Sequence, residues 1–362
     1  MSTMADYDLS PKMKRLVTLI GKLSVADPEG LTPKRIEEIN DISIPNNALI
    51  RKLLGKSAKN IDTKTFIIPV TEGMITGYFF EKQGSRDISD LTPLIIFYHG
   101  GGWIWGNMDL YNFFCAHIAD ITGASVLSVD YRLAPKYKFP TAVEDCYDTL
   151  LWAAAGCRYW KTDPDRIYLM GDSAGGNLAA VVSRLARDRK GPAIAGQVLL
   201  YPVTDGRMRT ASYEMYKDSP TLTDKHMTFF INSYQKEPKD ILNPSFSPLL
   251  SKDHSRLPQT LIIGAEYDPL RDDGKLYADA LASADTPVKY LEVKKTVHGF
   301  INYPKATGTE ETESAIIQFI GGRPVEQVAL ISRKEWATAI RKEQKQIKQQ
   351  NKLYIPAEST KN

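Results

Sequence analysis

Residues 166–178 read RIYLMGDSAGGNL, a strand, a turn and the start of a helix compressed into thirteen residues. The run 166–170 is short and largely apolar, as expected of a strand buried on both faces of a sheet. Leu178, Val181, Val182 and Leu185 then recur at the 3.6-residue period of a helix with one buried side. Between them lies Gly171-Asp172-Ser173-Ala174-Gly175-Gly176, which has the form G-x-S-x-G. A reversal this sharp leaves no room for side chains at 171 and 175. Glycine there lets Ser173 adopt a strained conformation with its hydroxyl turned outward. The helix N-terminus behind Ser173 favours negative charge developing beside it. Glycine-rich turns between strands and helices are common, so the surroundings must carry the rest of the reading.

Outward from this turn the chain alternates. Residues 62–70 and 74–80, separated by Thr71-Glu72-Gly73, read as a hairpin. Short apolar runs follow at 94–98, 124–129, 197–201, 259–263 and 288–293. Helical patterns separate them, as in Val143, Cys146, Tyr147, Leu150 and Leu151. Strands alternating with amphipathic helices predict a doubly wound α/β sheet, mostly parallel. Residues 1–60, 205–240 and 321–362 fall outside this rhythm. The last is rich in Lys, Arg and Gln; it reads as a solvated helix with Trp336, Ile340 and Ile347 on one side, docked on its own domain or free in solvent ahead of binding a partner through that side.

His99-Gly100-Gly101-Gly102-Trp103 follows directly on the run 94–98. Three consecutive glycines cost conformational entropy and need a reason. Bare N–H groups at Gly101 and Gly102, together with that of Ala174, would form an oxyanion hole, each donor worth about 10²–10³-fold in rate. His99 reads as a structural residue of this loop. A serine nucleophile needs a base, and the base a carboxylate. Of the five histidines, His117 lies in a helical pattern, and His226 and His254 in irregular or inserted segments that suit solvated or packing roles. His298 alone follows the last strand in a short loop, before Gly299-Phe300. For the acid, Asp268 is nearest the end of 259–263 and is stiffened by Pro269, whereas Asp272 and Asp273 fall where the next helix begins. Ser173, Asp268 and His298 thus occur in the order Ser…Asp…His, each at a strand's C-terminal end. Trp103, Trp105 and Tyr201 are candidates for the walls of a substrate pocket, with core packing an equal reading for each.

These residues resemble the hormone-sensitive lipase family of esterases, including its bacterial branch. The match comprises HGGGW at 99–103, YRLAP at 131–135, GDSAGG at 171–176, DPLRDD at 268–273 and HGF at 298–300, within roughly 60–320. The resemblance implies an α/β-hydrolase fold with an eight-stranded sheet under a helical cap. The catalytic domain would comprise 61–204 and 241–320, the cap 1–60 and 205–240, and 321–362 would be a C-terminal extension. It also implies cofactor-free hydrolysis of carboxylic esters with short or medium acyl chains, acetyl among them. Tyr131 and Arg132 would brace the core. Lys136 stands where many members carry an acidic residue, which puts a local salt bridge in doubt. Plant gibberellin receptors resemble the same family but have lost the histidine that His298 retains, so an enzyme is expected here. Amide cleavage or acyl transfer would use the same residues.

Bulk properties agree with a small-molecule enzyme. The chain has 362 residues, 43% of them hydrophobic and 25% charged, enough for one large α/β domain. A net charge of +3 gives no reason to expect nucleic acid as partner. Cys115, Cys146 and Cys157 lack metal or disulfide-framework spacing. HExxH and GxxxxGK[ST] are both absent, so neither a metal nor a nucleotide is expected. The apolar run Leu16–Ile20 behind Lys12, Lys14 and Arg15 is too short for a signal peptide or a membrane span. A cytoplasmic enzyme without a membrane partner follows by default, and self-association stays open.

Overall fold

Alternation along each central strand sorts its side chains into two cores, one on each face of the sheet. Leu94, Ile96 and Tyr98 point to one face, Ile95 and Phe97 to the other; Ile167 and Leu169 are likewise opposed to Tyr168 and Met170. The sheet that results, in a computed structural model describing residues 7–23, 31–42, 58, 60–84, 91–106 and 108–353, has eight strands. They are β1 Ile61–Val70, β2 Gly73–Lys82, β3 Thr92–Tyr98, β4 Ser125–Asp130, β5 Thr162–Asp172, β6 Gly196–Leu200, β7 Thr260–Tyr267 and β8 Val288–Val297. Their spatial order is β1-β2-β4-β3-β5-β6-β7-β8. Only the β1–β2 and β2–β4 pairings are antiparallel, so β2 alone runs against the others. The mostly parallel eight-stranded α/β sheet expected from the sequence is therefore the one observed.

Helices cover both faces. Following α1 (Pro11–Leu23) and α2 (Pro33–Asn40) in chain order are α3 (Met108–Thr122), α4 (Thr141–Gly156) and α5 (Ala174–Asp188). After β6 come α6 (Ala211–Met215) and α7 (Asp224–Tyr234), then α8 (Arg271–Ser283), α9 (Thr309–Ile320) and α10 (Arg333–Leu353). Apolar stripes of α4, α5 and α8 bury on one face, and those of α1, α3 and α9 on the other. Among the described residues no helix is long and apolar enough to cross a membrane.

Three details position the site. Strands β7 and β8 keep step from Thr260↔Val288 to Ala265↔Val293, and then Tyr267 pairs with Val297. The bulge lies in β8, where Lys295 takes φ +57°. Beneath the loop after β4, Arg132 grips the fully buried Asp145 with Nη2 at 2.6 Å and Nε at 3.0 Å, and its guanidinium also donates to the carbonyls of Thr71 and Glu72. Lys136 does find an acid, Glu37 at 3.8 Å, a wide and exposed pair. The chain beyond 320 does not leave the domain at once: Val325 and Val328 are buried in the α9 core, and Gln318 holds Ala329 by both backbone groups. Arg333 then joins Glu313 and His117, and Arg323 lies over Trp336. The start of α10 is docked; Ile347 lies where only the backbone is described.

Candidate active site

The turn between β5 and α5 is as tight as the motif requires. A Cβ at Gly171 would lie 2.3 Å from the Gly175 carbonyl group, and one at Gly175 would lie 1.9 Å from the Tyr98 carbonyl oxygen. Ser173 occupies φ 54°, ψ −117°, a region almost reserved for glycine. Its amide donates to the Leu200 carbonyl at 2.8 Å, and its own carbonyl accepts from Asn177. The strained residue is thus held from both sides, with its hydroxyl facing a cavity.

Asp268 directly follows β7 and His298 directly follows β8. Because Tyr267 pairs with Val297, these next residues lie level, and His298 Nδ1 is 2.7 Å from Asp268 Oδ2. The other carboxylate oxygen accepts the Leu270 amide at 2.9 Å. On the far side of the imidazole, Nε2 is 2.9 Å from Ser173 Oγ. Thr221 anchors the His298 carbonyl, and the Tyr201 ring sits 4.6 Å from the imidazole. Asp272 and Asp273 are engaged elsewhere. Asp272 caps Ser212 at 3.0 Å, while the buried Asp273 accepts from the amides of Thr204 and Asp205, and burial raises its carboxyl well above the usual range.

The glycine loop folds into a turn in which the Trp105 amide donates to the Gly101 carbonyl at 2.8 Å. Gly101 and Gly102 have φ +109° and +62° and line the cavity with Ser173. Ala174 opens α5 next to Ser173. His99 is fully buried under this loop, stacked 4.2 Å from Tyr131, with Nδ1–H donating to the Gly100 carbonyl. Burial depresses its pKa to about 4, so it stays neutral and structural. Tyr131 closes the brace by donating to the His99 carbonyl at 2.7 Å.

The described residues enclose a cavity of about 340 Å³ around Ser173, at the small end of ligand pockets. Trp105 lines it, 4.9 Å from Phe230 in edge-to-face contact. Trp103 does not: it stacks on Tyr234 at 4.6 Å and is fully buried in the joint between the glycine loop and α7. Tyr201 is also core, packed beneath His298 and Phe300. Those two aromatics therefore take the packing reading, because their neighbours fill the space a substrate would need. His226 lies in the inserted stretch 205–240 as expected, but its side chain is not merely solvated or packed. It stands in the first turn of α7, held through Nδ1 by Thr223, and lines the cavity. Motif reasoning also passed over Tyr111, Asp172 and Asn302, which line the wall. Asn40 at the end of α2 was missed too: it clamps the glycine loop through the Ile104 carbonyl and the Gly106 amide. Only the three-dimensional neighbourhood marks these residues.

Residues 95–302 match a sequence family described as the alpha/beta hydrolase fold. The chain belongs to that family. Within it, this hydrolase is a hormone-sensitive-lipase-like carboxylic ester hydrolase. It is 38% identical over 268 residues to the carboxylic ester hydrolase LipN of Mycobacterium tuberculosis, covering 71% of this chain and 70% of LipN. It is 34% identical over 227 residues to an ethyl acetate hydrolase of Pseudomonas putida, covering 62% and 71% respectively. Its structure superposes on a hyperthermophilic esterase of the archaeon Pyrobaculum calidifontis with a TM-score of 0.76 and 33% identity, over 89% of this chain and 99% of that one.

Proposed function

We propose that this hydrolase cleaves short- to medium-chain acyl esters, acetyl esters among them, through a covalent acyl-enzyme on Ser173. The carrying observation is the relay in which Asp268, His298 and Ser173 are joined by contacts of 2.7 and 2.9 Å on the wall of one cavity. His298 Nε2 takes the serine proton as Oγ attacks the ester carbonyl, and Asp268 stabilises the imidazolium through Nδ1. The amides of Gly101, Gly102 and Ala174 take the charge on the carbonyl oxygen. His298 then protonates the leaving alcohol and activates the water that frees the acid. The small cavity and its Trp105–Phe230 corner support a short acyl group, as does the relative whose name is ethyl acetate hydrolase.

Residues 1–60 and 205–240 form the cap in this reading, supported by Ile39, Leu222, His226 and Phe230 in the cavity lining. Residues 321–362 are an extension whose first part packs on the catalytic domain. The enzyme is assigned to the cytoplasm, in keeping with Cys115, Cys146 and Cys157, all free and buried. The test is turnover of p-nitrophenyl esters of increasing acyl length by wild type beside Ser173→Ala. Rates should peak at short acyl groups and fall by about 10⁴-fold or more in the variant. Equal rates would reject the nucleophile, and a maximum at long acyl chains would reject the short-chain assignment.

A further inference from the structure

The cavity wall around Ser173 is divided in character. Where it borders the glycine loop its bulk is aromatic, with Trp105 against Gly101 and Phe230 against Gly102, and His226 stands beside Phe230. Where it borders His298 it is polar. Asn302 lies four residues beyond the imidazole, and Tyr111 and Asp172 line the same cavity.

These three side chains meet at one atom. Asp172 Oδ1 is firmly held, accepting the Gly100 amide at 2.7 Å. Its partner Oδ2 has two long contacts, 3.3 Å to the Tyr111 hydroxyl and 3.5 Å to Asn302 Nδ2. The side chain is only 2% exposed. A carboxylate oxygen has about two acceptor sites and binds a hydroxyl at roughly 2.5–2.7 Å, so both sites of Oδ2 are taken but weakly, and a closer donor could replace the 3.5 Å contact to Asn302. Burial moves the Asp172 carboxyl up to about 6, which leaves it mainly ionised in mildly alkaline buffer.

The chemistry decides which half of an ester meets this wall. His298 delivers its proton to the leaving oxygen, so the alcohol lies on the imidazole side and the acyl group beyond the glycine loop. Resting on the esterase reading above, we propose that the preferred substrates are short-chain esters of polyols, whose alcohol half carries a second hydroxyl. That hydroxyl donates to Asp172 Oδ2 and accepts from Asn302 Nδ2, while Tyr111 keeps the carboxylate in place. The alkyl chain of a simple alcohol would leave the two groups with only their long contacts and no water to improve them, which a site built for hydrogen bonding penalises more than a site built for methylenes.

The experiment compares two esters of nearly equal shape, 2-hydroxyethyl acetate and propyl acetate, as a ratio of kcat/KM at pH 8. Reading the ratio within each protein removes differences in folded fraction. Wild type should favour the hydroxyl ester by about tenfold, the scale of one charge-assisted hydrogen bond. Asn302→Leu should cut that ratio several-fold, and Tyr111→Phe less. Equal turnover of the two esters, or a preference that survives unchanged in Asn302→Leu, overturns the inference and leaves the esterase reading intact. Failure of wild type on both esters, and on p-nitrophenyl acetate, overturns the esterase reading and this inference with it.

Discussion

Gly102 and Phe230 are packed so closely that a Cβ on the glycine would lie 2.3 Å from the phenyl ring. The glycine loop and helix α7 thus meet without space for one methyl group. Gly102→Ala must push the ring aside and also strain a residue at φ +62°. The expected result is a kcat on p-nitrophenyl acetate lower by about 10²–10³-fold, because a displaced amide no longer reaches the oxyanion. Gly102→Ala combined with Phe230→Ala should recover part of the loss. A variant with wild-type kcat would remove Gly102 from the oxyanion hole.

Ser173 holds a backbone conformation suited to glycine, so side chain and fold are in conflict at this position. Ser173→Gly and Ser173→Ala should both be inactive, but Ser173→Gly should be the more stable by about 1–3 kcal/mol, the scale of such strain. Urea denaturation of the two variants checks this. A Ser173→Ala protein as stable as Ser173→Gly would mean that the turn relaxes without cost.

Asp172 titrates near 6 in the fold against an ordinary 3.8, with desolvation as the main cause. The folded state therefore binds this proton more tightly than the unfolded chain. Its contribution to stability is greatest below the unfolded pKa and is lost as pH rises through about 6. Asp172→Asn abolishes that dependence. The stability of Asp172→Asn relative to wild type should rise between pH 4 and pH 7.5, by no more than about 3 kcal/mol. His99, held down to about 4 by burial, is present in both proteins and cancels in the difference. A difference flat with pH would contradict the assignment.

Arg132 faces a carboxylate with no exposure to solvent. Arg132→Ala leaves Asp145 charged and buried, and should cost about 3–5 kcal/mol by urea denaturation. Arg132→Met with Asp145→Asn should regain much of it. A loss below about 1 kcal/mol would show that the pair is solvated in the native state.

The sheet was legible because β3 to β8 each contain a short, largely apolar run and β1 and β2 flank a hairpin turn at Thr71-Glu72-Gly73. Strand ends were less so. β5 begins at Thr162 rather than 166, hidden by Asp163, Pro164 and Asp165, which read as a turn. β8 continues to Val297 through Lys294 and Lys295, whose polarity reflects exposure at the sheet edge. The sequence singled out Ser173, Asp268 and His298, and the structure brings them within hydrogen-bond reach of one another. Trp103 and Tyr201 could not be assigned from sequence, since an aromatic beside a motif looks the same whether it faces solvent-filled space or core. Asn40, His226 and Asn302 belong to no spacing pattern; they reach the site only because α2, α7 and the turn after His298 are folded against it.

The irregularity in β8 has a bearing on how this edge of the molecule tolerates change. Four residues of β8 advance from Val293 to Val297 while β7 advances two, from Ala265 to Tyr267. Excising two residues at 294–295 would make the ladder regular and leave Val297 opposite Tyr267, whereas excising one would slip the end of the strand by one residue and turn the imidazole to the other face of the sheet. Only the odd deletion would separate the imidazole from its carboxylate. Length variation in this stretch, which carries no member of the relay, is thus admitted in steps of two and refused in steps of one.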